Sequence, residues 1–174
     1  YYFPIGVNVA NAARIKKNTN VPMIVAGRIT SPDFAEEIIA TGKADFVSLG
    51  RIQIADPDFV KKAMEDRVDD IVRCVSCDQG CVERMFAGHG VSCVFNPAAG
   101  YEAQVVVKPA LEKKKVLVIG GGPAGLEAAR VAAERGHAVT LFEKTAQLGG
   151  QYLLAGFAPH KKVFAEAAVH MGYR

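Results

Sequence analysis

The alternation of apolar and polar positions divides the chain into three stretches of different character. Residues 21–26 (VPMIVA) and 44–49 (ADFVSL) are short, nearly continuous apolar runs, each closed by Gly-Arg, and both predict buried parallel strands. Between them Ser31-Pro32-Asp33 predicts a helix start, with a capping hydroxyl and proline in the first turn. Phe34, Ile38 and Ile39 then fall on one face before Gly42 ends the helix. Asp56-Pro57-Asp58 repeats the opening, with Phe59, Val60, Ala63 and Met64 as the apolar stripe. A further helix is expected over residues 7–17. The order is α-β-α-β-α, part of a parallel α/β protein.

The second stretch, from Arg73 to about Gln104, holds all four cysteines, several glycines and little periodicity, so something other than a core is expected to hold it together. The third returns to α/β order: a strand at residues 115–119 (KVLVI), a glycine loop, a helix from Pro123 to about Arg135, and a strand at 138–142 (AVTLF). Ala128, Ala129, Ala132 and Ala133 are small enough to let that helix lie close to a sheet.

Composition adds limits rather than a function. Half of the 174 residues are apolar and 22% are charged, ample for a packed core. The net charge of +3 is scattered, and the run Lys113 to Lys115 reads as a solvated linker, which argues against nucleic acid as a partner. No apolar run nears the roughly 20 residues of a membrane span, and the N-terminus lacks the layout of a signal peptide. A soluble, cytoplasmic protein is the expectation. A start at Tyr1 without Met, and an end at Arg174 just after a helix-like stretch, suggest truncation at both ends.

Cys74, Cys77, Cys81 and Cys93 follow the spacing C-x2-C-x3-C-x11-C. Four thiols within 20 residues, without secretory features, argue for metal ligation over disulfides. Zinc and an iron-sulfur cluster both remain open on spacing. Three close cysteines with a distant fourth suit the corners of a cluster, whereas structural zinc usually sits between two C-x2-C knuckles. Asp78, Gln79 and Gly80 form a polar turn whose N-H groups could reach cluster sulfurs.

Gly120-Gly121-Gly122-Pro123-Ala124-Gly125 matches G-x-G-x-x-G between an expected strand and an expected helix. Such a helix start directs free N-H groups and its positive dipole end at phosphates. Glu143, 23 residues after Gly120, stands where an acid accepts ribose hydroxyls. Leu148-Gly149-Gly150-Gln151 adds a second glycine pair, which is similar to the flavoprotein version of this fold and favours FAD over NAD as the ligand. The downstream flavin-type unit, needing electrons supplied or removed, tips the cysteine set towards a cluster.

Together VPMIVAGRI with ADFVSLGR, RCVSCDQGC with SCVFNP, and VLVIGGGPAGLEAA with TLFEK and LGGQ resemble the 2,4-dienoyl-CoA reductase and trimethylamine dehydrogenase branch of the Old Yellow Enzyme family. The resemblance implies an α/β chain in four parts. Residues 1–72 would be the C-terminal βα units of an FMN-binding TIM barrel and residues 73–104 a 4Fe-4S segment. A linker at 105–114 would lead to the first βαβ of a Rossmann-like domain for FAD or ADP at 115–174.

On that basis Gly27, Arg28, Gly50 and Arg51 would hold the FMN phosphate, where loops after barrel strands 7 and 8 commonly bind phosphate. Cys74, Cys77, Cys81 and Cys93 would hold the cluster. Gly120, Gly122, Pro123, Ala124, Gly125, Glu143, Lys144, Gly150 and Gln151 would hold the dinucleotide. NAD(P)H would be the electron donor, at a site outside this chain.

The implied activity is reduction of an activated alkene, such as an unsaturated thioester or enoate, with a small molecule as substrate. An amine dehydrogenase of the same architecture, running electrons outwards, and a zinc-stabilised binding module without redox chemistry are the alternatives. No catalytic acid or base is assigned. His89, His137, His160 and His170 are read as surface residues, and the oligomeric state is not read from the sequence. The chain alone is expected to be inactive.

Overall fold

The computed structural model describes residues 3–174; Tyr1 and Tyr2, at the start of the first expected domain, lie outside the described residues. The chain divides into two compact units, one ending at Gly100 and the other beginning at Tyr101. Each builds on a small parallel sheet. Among the described residues no helix is long and apolar enough to cross a membrane.

In the first unit α1 (Val9–Lys16) leads to β1 (Ile24–Val25), α2 (Pro32–Ala40) and β2 (Phe46–Val47), with β1 and β2 paired in parallel. The Ser31 hydroxyl accepts the N-H of Phe34, and Pro32 supplies a backbone angle already suited to the first turn of α2. Ile38, fully buried, joins Val9, Ala12, Val25, Ile29, Ala35 and Ala44 in one core. Asp45 fastens the sheet to α1, since its carboxylate accepts from Lys16 at 2.8 Å and from the N-H of Met23 at 2.8 Å.

The strands are shorter and less buried than their apolar runs predict. Val25 is buried, but Ile24 and Phe46 remain more than half exposed. A two-stranded sheet with helices on one side leaves alternate side chains open, because successive residues point to opposite faces.

After β2 come α3 (Arg51–Ala55), α4 (Phe59–Met64) and a short 3-10 turn at Val68–Asp70. Ile52, Phe59 and Ile71 form a second small core, whereas Val60 and Met64 of the expected stripe are exposed. The cysteine-bearing stretch has apolar anchors of its own. Val72, Val75, Phe95 and Ala99 are all buried, at intervals that fit neither a helix nor a strand period. Within it lie a π-helical turn (Gln79–Glu83) and α5 (Arg84–Phe86).

The second unit comprises β3 (Lys115–Ile119), α6 (Pro123–Glu134), β4 (Ala138–Phe142), α7 (Gln151–Ala155) and α8 (Lys162–Met171). The β3 and β4 ladder is parallel from Lys115 opposite Ala138 to Ile119 opposite Phe142. The helix α6 packs on both strands. Of its four expected small contact residues, Ala128 and Ala133 are exposed; Leu126 supplies the buried position. Close approach comes instead from Gly125, where a Cβ would collide with the carbonyl oxygen of Gly120.

Candidate cofactor sites

Gly27, Arg28, Gly50 and Arg51, distant in sequence, line one cavity of about 320 Å³ in the first unit. They meet because β1 and β2 are parallel neighbours, so both strands deliver their C-terminal loops to the same end of the sheet. Thr30 and Ser48 add hydroxyls, and Ile29 and Ile52 an apolar lining. Arg28 donates to the carbonyl of Phe3, and the side chain of Asn8 bridges to the carbonyl of Ala26 at 2.8 Å. Two guanidinium groups, two hydroxyls and glycine backbone form a donor set that fits a phosphate monoester.

Cys74, Cys77, Cys81 and Cys93 carry free thiols, and all four line a second, small cavity of about 20 Å³. The first three are placed by a turn that runs through left-handed backbone at Ser76 and Asp78 into the π-helical turn. Cys93 is brought across by the N-H of Ser92, which donates to the carbonyl of Gly80 at 2.6 Å. Gly80 is the contact point: a Cβ there would stand 2.7 Å from the Ser92 carbonyl oxygen and 3.0 Å from the Cα of Cys93. The approach of the fourth cysteine therefore depends on a residue without a side chain.

Burial raises the Cys74 and Cys77 thiols above their ordinary range. Backbone N-H groups oppose this: that of Ser76 acts on Cys74, and those of Gln79 and Gly80 on Cys77. The donor set is four soft sulfurs with N-H groups turned towards them, which fits a thiolate-ligated centre, either iron-sulfur or zinc. Among the described residues, no group of three or more His, Cys, Asp or Glu side chains is placed to hold a metal ion.

The two cavities share a wall made by Arg51, Cys74 and Ser76. Arg51 donates from Nη1 to Oδ1 of Asp78 at 2.5 Å, and its charge also draws the Cys74 thiol downwards. This ion pair is a feature that local sequence reading misses, because the partners stand 27 positions apart.

In the second unit Gly120, Gly122, Pro123, Ala124 and Gly125 form the turn from β3 into α6, with Pro123 as the first helical residue. The carboxylate of Glu143, just past β4, accepts the N-H of Gly121 at 2.7 Å on one oxygen. Its other oxygen accepts both the N-H and the hydroxyl of Thr145, at 2.9 and 3.0 Å. These bonds, that of Gly121 first, hold Glu143 below its usual value of 4.5. A carboxylate offers about four acceptor positions; Gly121 and Thr145 take three here, and the backbone of Lys144 adds to the same pull.

The second glycine pair folds onto the same loop. The N-H of Gly149 donates to the carbonyl of Gly121 at 2.8 Å, and Gly150 lies against Gly122, where a Cβ would stand 3.0 Å from its Cα. Lys144 is exposed beside Glu143, and Gln151 begins α7.

One of the four histidines is not on the surface. His170 is only 4% exposed, on the face of α8 that also buries Ala167, three positions earlier. His137 accepts the N-H of Lys114 on Nδ1 at 3.1 Å, a structural role at the start of β3.

Residues 4–70 match the NADH:flavin oxidoreductase / NADH oxidase family, and residues 115–172 match FAD dependent oxidoreductases. The chain is 50% identical over 161 residues to an NADH oxidase of Thermoanaerobacter brockii, covering 91% of this chain and 25% of the relative. Among solved structures, a 2-naphthoyl-CoA reductase matches with a TM-score of 0.93 and 38% identity, over 98% of this chain and 26% of that one. Histamine dehydrogenase from Rhizobium sp. 4-9 matches with a TM-score of 0.89 and 31% identity, over 98% and 25%. The chain spans about a quarter of the length of these relatives. Residues 4–70 thus carry the match to the NADH:flavin oxidoreductase / NADH oxidase family and residues 115–172 the match to FAD dependent oxidoreductases, and nearly the whole chain is similar to one stretch of longer flavin oxidoreductases.

Proposed function

We propose that this chain is the wiring section of an iron-sulfur flavoprotein in which NAD(P)H reduces an activated C=C bond of an unsaturated thioester or enoate. The observation that carries the reading is the wall of Arg51, Cys74 and Ser76 shared by the phosphate-type cavity and the four-thiol cavity. When bound, FAD, a 4Fe-4S cluster and FMN supply hydride acceptance, single-electron transfer and delivery to substrate.

The residues of the chain bind and orient. Arg28, Arg51 and the Gly27 and Gly50 backbone anchor the FMN phosphate. Cys74, Cys77, Cys81 and Cys93 ligate the cluster, with the N-H groups of Gln79 and Gly80 compensating negative charge at Cys77. Gly120, Gly122 and Gly125 bring backbone to the FAD pyrophosphate, and Glu143 holds that loop while facing the ribose. In this reading residues 1–72 belong to the FMN barrel, 73–104 to the cluster segment, 105–114 to a linker, and 115–174 to the FAD domain.

The thioester or enoate substrate class rests on the likeness to the 2-naphthoyl-CoA reductase, and the nicotinamide donor on the likeness to the NADH oxidase. The likeness to histamine dehydrogenase favours a second reading, in which an amine reduces FMN and electrons leave outwards. Anaerobic full-length protein separates the two. NADH or NADPH should bleach the flavin absorbance, and an aryl-acrylyl thioester should restore it. Bleaching by primary or secondary amines, with no response to either nicotinamide, would overturn the reductive reading.

A further inference from the structure

Two consecutive residues of the first unit hold both ends of the cysteine-bearing stretch. On the entry side, Oδ2 of Asp56 accepts the N-H of Val72 at 2.8 Å, two residues before Cys74. On the exit side, Nδ2 of Asn96 donates to the carbonyl of Ala55 at 2.8 Å, three residues after Cys93. Asn96 is itself set by the N-H of Ala98, which donates to its Oδ1 at 3.0 Å.

The expected helix opener Asp56 instead closes α3, and Asp58 stands at the start of α4. Only 2% of Asp56 is exposed, and its carboxylate takes three donors: Val72, the N-H of Asp58 at 3.1 Å, and the ammonium of Lys62 at 2.6 Å. Lys62 donates again to the carbonyl of Asp70 at 3.0 Å, so the ammonium reaches the same incoming segment. A buried carboxylate held by three donors fixes position sharply, since each loss leaves a charge or a dipole without a partner.

We propose that the Ala55–Asp56 turn is a clamp that sets the spacing between Cys74 and Cys93, with Asp56 and Asn96 as positioning residues for the metal centre. Cys77 and Cys81 are placed locally, by the turn that carries them. Cys74 and Cys93 lie nearest the two pinned ends, so the opening of the thiol set follows from where those ends are tied. None of Ala55, Asp56, Lys62, Val72 and Asn96 lines the phosphate-type cavity or the thiol cavity. The clamp therefore reaches the thiol cavity through Cys74 and Cys93, of which only Cys74 also lines the phosphate-type cavity.

This inference rests on the cluster reading above, and the test separates the two. Full-length protein is purified anaerobically as wild type, Asn96→Asp, Asn96→Ala and Asp56→Asn. Asn96→Asp keeps the acceptor for Ala98 and replaces the donor to Ala55 by a carboxylate oxygen that faces its carbonyl. Asp56→Asn keeps an acceptor for Val72 and removes the ion pair with Lys62. Iron release to an excess of chelator is timed, three-iron species are followed by electron paramagnetic resonance after mild oxidation, and FMN affinity is measured in parallel.

Asn96→Asp and Asp56→Asn should release iron roughly tenfold faster, the equilibrium weight of one lost hydrogen bond. Three-iron species should accumulate, most in Asn96→Ala, with FMN affinity unchanged in both Asn96 variants. A loaded wild type whose variants release iron at the same rate overturns the clamp alone. FMN loss in step with iron loss in the Asn96 variants also overturns it, by showing general loosening. Wild type without iron and sulfide overturns the cluster reading and the clamp's role with it.

Discussion

Arg51 and Asp78 meet at 2.5 Å and thereby join the loop that follows β2 to the turn between the second and third cysteines. The pair is partly exposed, with side chains 31% and 43% accessible, so its strength in water is modest. Its position matters more: Arg51 belongs to the walls of both cavities, and Asp78 follows Cys77 directly. A negative and a positive charge are thus held beside the thiol set in fixed register.

Removing the negative member should move the metal centre's potential in a known direction. Asp78→Asn deletes an anion next to Cys77 and leaves the guanidinium, which together favour the more reduced, more negative state. A redox titration of the full-length protein should show a positive shift of the cluster midpoint. An unchanged or more negative midpoint would contradict the role given to the pair.

Arg51 also faces the phosphate-type cavity, which predicts a second effect. Arg51→Met should weaken FMN binding by roughly 10- to 100-fold, the range for a charge-assisted hydrogen bond. Fluorescence titration of the flavin-free protein measures it. Equal affinity in wild type and variant would remove Arg51 from the site.

Acid should weaken the protein through two carboxylates. Bonds from Gly121 and Thr145 lower Glu143 below 4.5, and Lys16 followed by Met23 lower Asp45 below 3.8. Because both values are depressed on folding, the stabilisation is complete above the ordinary values and lost as pH falls through the folded ones. Unfolding midpoints in urea should fall as the buffer is taken from pH 5 to about pH 3. Glu143→Gln should flatten part of that slope, and a slope identical to wild type would show that the Gly121 bond contributes nothing.

Gly125→Ala tests the close approach of α6 to the strand end. Its Cβ would collide with the Gly120 carbonyl, so the helix start must shift. Overpacking of this kind costs about 1–3 kcal/mol, and the displaced N-H groups should lose FAD before the fold is lost. FAD retained at wild-type affinity would show that the loop does not cradle the dinucleotide.

Local features were legible in the sequence because their physics is local. The Ser31 hydroxyl caps α2, Pro32 starts it, and the glycine loop joins β3 to α6 at the expected positions. Features that depend on distant partners were not. Asp56 reads as a second helix opener in the DPD pattern, yet its carboxylate is turned to Val72 and Lys62. Nothing adjacent in sequence signals that bond.

Gly80 reads as loop until Ser92 and Cys93 are seen across from it, and His170 reads as surface until α8 is packed. The runs at 21–26 and 44–49 predicted fuller burial than Ile24 and Phe46 show, since a run of apolar residues reports potential to be covered, not the cover itself.

Metal and sulfide analysis of anaerobically purified full-length protein tests the central claim most directly. The account predicts about four iron and four acid-labile sulfide per chain, lost together in Cys77→Ser while FMN stays bound. Zinc in place of iron, with no sulfide, would contradict it and leave the four thiols as a structural site.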